Sequence, residues 1–334
     1  MKTPADVVHR VLAGEHAAIA RMLTFVERRT AGVDEALAEL HGKAGNAHVL
    51  GLTGPPGSGK STLVTALTEY YREQGRTVGV LAVDPSSVFS GGAILGDRIR
   101  MTGLAGDEGV FIRSIATRGA LGGLSRAALD AITVLDAAGK DVVVLETVGV
   151  GQAEVDVISA AQTVAVVSVP GMGDDVQAIK AGLLEIADVH VVNKADRDGA
   201  AKTVAELRDM LRLAHRRPHQ WNVPIQQTVA ATGHGVPELA GQFAAHLEWM
   251  TEHGERERRA RRTSATRIRW VAEQLVLDGL RPGVPAFDRA VDDVAARRED
   301  PLSAARRLVG QAGTTAAPAG TSPTASTTDE EELW

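Results

Sequence analysis

The sequence predicts an α/β fold in which a doubly wound, mostly parallel sheet is extended by helices at both ends. Three observations carry this. Short apolar runs alternate with helical patterns from Val49 to Val229. A glycine-rich loop follows the first run, and residues suited to ligand contact follow several later ones.

The elements read in order as follows. Val7, Val8, Val11 and Leu12 share one helical face, as do Ile19, Leu23 and Val26. A third short pattern follows in Val33, Ala36, Leu37 and Leu40, and Gly42, Gly45 and Asn46 then mark a boundary. The apolar runs are Val49–Leu52, Val78–Val83, Val142–Leu145, Val164–Val169, Val189–Val192 and Ile225–Val229. They are not half polar, so they suit strands buried on both faces, as parallel strands are. Helical stretches lie between most of them, at Ser61–Gln74, Leu124–Ala138, Val176–Ala187 and Ala200–Ala214. Past Trp249 the chain is dense in charge over Glu255–Arg262, and a helical pattern follows in Ile268, Val271, Ala272, Leu275 and Val276. Arg281-Pro282-Gly283 interrupts it, and two more short helices are expected near Asp288–Arg298 and Leu302–Val309. The stretch 312–334 is rich in Thr, Ala, Pro and Ser and then acidic; it buries too little apolar surface to order itself and is expected to be disordered. The expected parts are an N-terminal helical extension over 1–44, a nucleotide domain over 45–250, a helical arm over 251–311 and the tail.

Composition narrows the function classes. With 334 residues, the chain holds one large domain with additions or two smaller ones. Only 3% of residues are aromatic, so the core is expected to be aliphatic. A net charge of −6 invites neither nucleic acid nor an anionic membrane. No cysteine is present, which excludes disulfides, cysteine-ligated zinc and iron–sulfur clusters and fits a reducing compartment. Met1–Asp6 has no apolar segment behind its charge, and no apolar run approaches the roughly 20 residues of a membrane span. A cytoplasmic protein is expected.

The chemistry begins at Gly54-Pro55-Pro56-Gly57-Ser58-Gly59-Lys60-Ser61, a full P-loop pattern between a strand and a helix. Glycines let backbone N–H groups wrap a phosphate, and the following helix adds the positive end of its dipole. Lys60 is expected to reach the β- and γ-phosphates and the Ser61 hydroxyl to ligate Mg²⁺, with Thr62 beside it. Glu146-Thr147-Val148-Gly149 stands where P-loop hydrolases place an acid–x–x–Gly segment, whose acid contacts Mg²⁺ and whose glycine N–H senses the γ-phosphate. Asp84, before Pro85, reads equally as a metal ligand or as a turn and cap residue. Asp97 reads equally as a ligand or as a simple ion-pair partner.

Asn193-Lys194-Ala195-Asp196 closes a later strand. A carboxylate there accepts from N1–H and the 2-amino group of guanine, a donor pair that adenine lacks, so Asp196 selects GTP and GDP. Lys194 can lie along the base. The base loop is expected at Val229-Ala230-Ala231-Thr232-Gly233; Val229 stands where many GTPases have serine, leaving backbone contacts alone. Val150 follows Gly149 where Ras-like proteins place a water-orienting glutamine, and Gln152 is the nearest substitute. Slow intrinsic hydrolysis, accelerated by a partner, is expected.

The segments Gly54–Thr62, Asp84–Ser87, Gly91–Met101, Ala116–Leu124, Glu146–Gln152 and Asn193–Asp196 together resemble the methylmalonyl-CoA mutase-associated GTPases. These are the MeaB proteins of bacteria and their mitochondrial counterpart MMAA, earlier labelled ArgK. The resemblance covers about residues 1 to 310. It implies a P-loop GTPase domain with an N-terminal helical extension and a C-terminal helical dimerisation arm. It implies a homodimeric, GTP-dependent chaperone that gates cofactor loading of an adenosylcobalamin-dependent mutase and protects it. By position it makes Ser61, Asp84, Asp97 and Glu146 the magnesium site. Asp84 and Asp97 would lie in switch I and Glu146–Gln152 in switch II. Pro170–Lys180 matches a third switch, with Lys180 completing catalysis when the partner docks.

Two other functions compete. A metallochaperone GTPase would carry Cys-x-Cys or histidine-rich segments, and this chain has neither. A transport-linked ATPase or kinase, the older label, conflicts with Asn193-Lys194-x-Asp196. His215 and His219 have helical metal-ligand spacing, but Pro218 between them favours a surface loop. Glu255–Arg262 reads as a solvated helix face, and Trp249 and Trp270 as packing residues of the arm.

Overall fold

The computed structural model describes residues 3–84, 102–104, 106–116, 126–147, 160–171, 186–213 and 220–315. Seven strands form one sheet: β1 (His48–Thr53), β2 (Val78–Asp84), β3 (Val110–Ala116), β4 (Val142–Thr147), β5 (Thr163–Ser168), β6 (Val189–Asn193) and β7 (Ile225–Thr228). Their order is β3-β2-β4-β1-β5-β6-β7, and every pairing is parallel. Leu50 of β1 stands opposite Val144 of β4 on one side and Thr163 of β5 on the other.

β1, β4, β5 and β6 are buried at every residue, which is why their sequences run apolar without alternation. Successive side chains nevertheless enter two different cores. Val49, Val143, Leu145, Val164 and Val166 face the first, with α1 (Ala5–Leu12), α2 (His16–Arg28), α3 (Val33–His41) and α5 (Arg126–Ala137). Leu50, Leu52, Val142, Val144, Ala165 and Val167 face the second, with α4 (Lys60–Glu73) and α7 (Val236–Glu252). Between these two helices of the chain order lies α6 (Ala200–Leu213), whose Val204 and Leu207 cover Val192.

The N-terminal helices belong to this packing. Val7, Val8 and Val11 of α1 and Ile19, Met22 and Leu23 of α2 are almost wholly buried in the first core. The Asp136 carboxylate of α5 accepts the backbone N–H groups of Gly45, Asn46 and Ala47 at 2.7, 3.0 and 3.0 Å. That clamp satisfies three donors in the link from α3 to β1 and fixes where the sheet starts.

The strand β3 is absent from the sequence reading. Arg113 and Ser114 interrupt its apolar run, and it lies at the sheet edge, where one side chain can be polar without being orphaned. Arg113 reaches α2, donating to Glu27 at 2.6 Å and to Thr24 Oγ1 at 3.2 Å. The helical stretch expected over 176–187 lies outside the described residues except at its end.

The chain divides into two compact units, Met1–Thr263 and Ser264–Trp334, and the division falls inside α8 (Glu255–Gly279). Charge run and apolar pattern, read separately in the sequence, are one helix of 25 residues. Trp249 stacks on His253 at 4.8 Å and lies 5.7 Å from Trp221. The side chain of Trp270 lies outside the described residues. In the second unit α9 (Pro285–Ala295) and α10 (Pro301–Thr315) share a small core of Ala290, Ala304 and Leu308. α10 carries helix to Thr315, four residues into the stretch expected to be disordered; 316–334 lie outside the described residues. Among the described residues no helix is long and apolar enough to cross a membrane.

Candidate nucleotide site

Parallel strands deliver their carboxyl ends to one edge, and the ends of β1, β4, β5 and β6 therefore meet there. The loop after β1 is shaped by three glycines with positive φ: Gly54 at 144°, Gly57 at 77° and Gly59 at 86°. At Gly54 a side chain would collide with the Val167 carbonyl oxygen of β5, and at Gly59 a Cβ would stand 2.5 Å from Asn193 Nδ2. Only glycine lets this loop lie against its neighbours.

Helix α4 begins at Lys60 with Gly59 as its N-cap and no side chain capping it. Its first-turn N–H groups are thus left to an anion, on which the helix dipole also acts. Lys60 is buried, and its Nζ donates to the carbonyls of Gly54 and Pro55 at 2.7 and 3.1 Å, folding the ammonium under the loop. Ser58 is fully buried; Thr62, the next residue after Ser61 on α4, is exposed.

Ser61 Oγ donates to Glu146 Oε1 at 2.6 Å across β1 and β4, both residues being buried. A hydroxyl and a carboxylate oxygen side by side are the donor type that Mg²⁺ takes. The pair fits a hard divalent cation. Asp84 ends β2, opposite Ala116, on the same edge, but its side chain lies outside the described residues. Asp97, Val148–Val150, Gln152, Lys180, His215 and His219 lie outside them altogether. No cluster of three or more acidic or histidine ligands is assembled among the described residues.

The second motif is bound to the first. Asn193 is 1% exposed; its Nδ2 donates to Ser58 O at 2.9 Å, and its Oδ1 accepts from Thr228 Oγ1 and Ala230 N, each at 3.1 Å. The amide thus ties the phosphate loop to the loop after β7. Lys194 has a left-handed φ of 55° and reaches back over the loop, its Nζ donating to Gly57 O at 2.7 Å. Asp196 is exposed on the same turn. Val229 closes the 229–234 turn by donating to His234 O, Ala230 is buried with its N–H given to Asn193, and Ala231 is exposed. The backbone contacts expected of this loop are therefore partly spent inside the protein.

Sequence reasoning missed Thr228 and Val167. Thr228 braces Asn193 and takes the Ala195 N–H on its carbonyl, and Val167 supplies the backbone against which Gly54 lies. Both sit inside apolar runs, so their parts follow from strand order and not from residue type.

A seven-stranded parallel sheet with this loop at its first strand and Asn-Lys-x-Asp at its sixth defines a P-loop GTPase fold. Residues 19–283 match the family model described as methylmalonyl Co-A mutase-associated GTPase MeaB, and the chain belongs to that family. A Pyrococcus horikoshii relative, provisionally named a GTPase, is 45% identical over 302 residues, covering 90% of this chain and 95% of its own. The mouse mitochondrial methylmalonic aciduria type A homolog is 39% identical over 209 residues, 62% of this chain and 50% of that one. A crystal structure titled LAO/AO transport system kinase superposes with a TM-score of 0.67 at 28% identity, covering 92% of this chain and 97% of that one.

Proposed function

We propose that this chain is a GTP-dependent chaperone of an adenosylcobalamin-dependent acyl-CoA mutase, methylmalonyl-CoA mutase being the leading client. The observation that carries the nucleotide part is the Asn193 amide, which joins Ser58 of the phosphate loop to Ala230 of the base loop and makes one continuous cradle of both motifs. The family's name and the mouse relative's name support the client.

In this reading the loop Gly54–Ser61 wraps the phosphates, Lys60 leaves the Gly54 and Pro55 carbonyls for the β- and γ-phosphates, and Asp196 reads guanine. Ser61 and Glu146, with Asp84 and Asp97, would hold Mg²⁺, which supplies charge neutralisation on the β- and γ-phosphate oxygens. Val150 cannot polarise water, so hydrolysis is slow until a partner completes the site, with Gln152 and Lys180 as candidates. Residues 1–44 serve as a helical extension, 45–250 as the G domain, 251–311 as the dimerisation arm of a cytoplasmic homodimer, and 312–334 as its tail.

Titrating methylmalonyl-CoA mutase with the full chain, in GDP and in a non-hydrolysable GTP analogue, tests the client. Binding that differs between the two states is expected; no binding in either sinks the proposal. Competition of ATP against GTP tests the base reading separately, and an ATP preference would restore the kinase label.

A further inference from the structure

The nucleotide site occupies the carboxyl edge of the sheet. At the opposite edge, where β1 and β4 begin, a second cavity of about 650 Å³ opens between α4 and α7. Gly241 and Ala244 of α7 leave the space, and Arg76, Glu248 and Arg256 bring charge to its walls. His48, the first residue of β1, also lines it and is only 8% exposed.

The groups behind His48 favour one place for its proton. His48 Nε2 lies 2.9 Å from Thr163 Oγ1, which lies 2.9 Å from His246 Nδ1. His246 Nε2 faces Asp188 Oδ1 at 3.3 Å, and Arg259 holds the same carboxylate at 2.6 Å. Nε2 makes no hydrogen bond there, but a lone pair turned on a carboxylate is repelled, so the favoured tautomer of His246 carries its proton on Nε2 and a lone pair at Nδ1. Thr163 donates its hydroxyl there, and its oxygen accepts from His48 Nε2–H. Burial first, then the neighbouring His246, Arg256 and Arg76, keeps His48 neutral, its pKa pushed down to about 3. A neutral imidazole protonated at Nε2 has a bare lone pair at Nδ1, and no group among the described residues is hydrogen-bonded to it. The cavity wall therefore includes a neutral imidazole acceptor beside two guanidiniums.

We propose that this cavity binds a small hydroxylated oxyanion, its acid group paired with Arg76 and Arg256 and its hydroxyl donating to His48 Nδ1. Guanidinium matches carboxylate and phosphate alike, so the acid class is shared between them. Glu248, an acid on the same wall, sets the ligand toward a single acid group. The site is separate from the phosphate loop and takes a regulator, not the nucleotide.

The full chain is saturated with GDP and Mg²⁺, which keeps added acids out of the phosphate loop, and its histidines are labelled with ¹⁵N. It is then titrated with glycerol 2-phosphate, with malate, and with glycerol as the uncharged control. A saturable shift of the His48 Nδ1 resonance is expected with at least one acid and not with glycerol. A response to glycerol 2-phosphate alone assigns a phosphate ester, to malate alone a carboxylate, and to both the oxyanion as such. Arg76→Gln, at an exposed position, is expected to weaken that binding at least tenfold while GDP affinity stays unchanged. A His48 resonance unmoved by both acids, an equal shift with glycerol, or full affinity in both Arg76→Gln and Arg256→Gln overturns the proposal.

Discussion

Asn193 and Asp196 stand three residues apart in one motif, yet their surroundings give them different work. Asn193 is buried and makes three hydrogen bonds to two loops, whereas Asp196 is exposed at the mouth. Removing the Asn193 amide leaves Ser58 O and Ala230 N without their partner, a loss of about 1–3 kcal/mol for a buried group. Asn193→Ala is therefore expected to lower stability by roughly 2 kcal/mol and to weaken GDP binding at least tenfold. Asp196→Ala is expected to weaken GDP binding while its thermal midpoint stays within about 1 °C of the parent, a surface change away from packing. Calorimetry on both variants decides it: equal stability of Asn193→Ala and the parent would refute the brace. The motif letters pointed to this place without separating these two parts. The division rests on burial, which comes from the strand order β1-β5-β6-β7 and not from the four residues themselves.

Among the elements, the apolar runs were legible because β1, β4, β5 and β6 are buried on both faces and need no polar residue. The edge strand β3 was not, because Arg113 breaks its run. That arginine is partly buried and pairs with Glu27 of α2 at 2.6 Å, so it joins the sheet edge to the N-terminal helices. Its side chain is 17% exposed and that of Glu27 26%, so water screens the pair in part and its net value is modest. Removing one partner is worse than removing both, since it strands a half-buried charge. Arg113→Met alone is expected to cost about 2 kcal/mol in urea unfolding, and Arg113→Met with Glu27→Met about 1 kcal/mol or less. Costs that simply add would show that the two side chains do not meet. The site was legible in a similar pattern: glycines and Lys60 declare themselves by spacing, while Thr228 and Val167 look like any strand residue.

For the molecule as a whole, three histidines buried among the described residues make stability depend on pH. His48, His190 and His246 are each at most 8% exposed. Burial is the largest cause in all three, and it lowers the pKa to about 3 for His48 and about 4 for each of the others. At His246 the Asp188 charge opposes that fall in part. Nothing among the described residues hydrogen-bonds either nitrogen of His190. Each group has a folded pKa below its ordinary value near 6.5, so the unfolded chain takes up protons first as pH falls. The stability they contribute is fully present above pH 6.5 and is lost as pH drops toward about 4 for His190 and His246 and about 3 for His48. Between pH 7.5 and 5.5 each histidine so held costs about 1.4 kcal/mol, and the three together roughly 4 kcal/mol. Urea unfolding at the two pH values is expected to show that loss. In His190→Leu, which exchanges an unbonded imidazole for an apolar side chain next to Val191 and Val192, the loss should shrink by about 1.4 kcal/mol. A His190→Leu variant whose stability falls as steeply as the parent's would mean that His190 is already able to take up a proton in the folded chain, and that the sheet is less closed there than its burial implies.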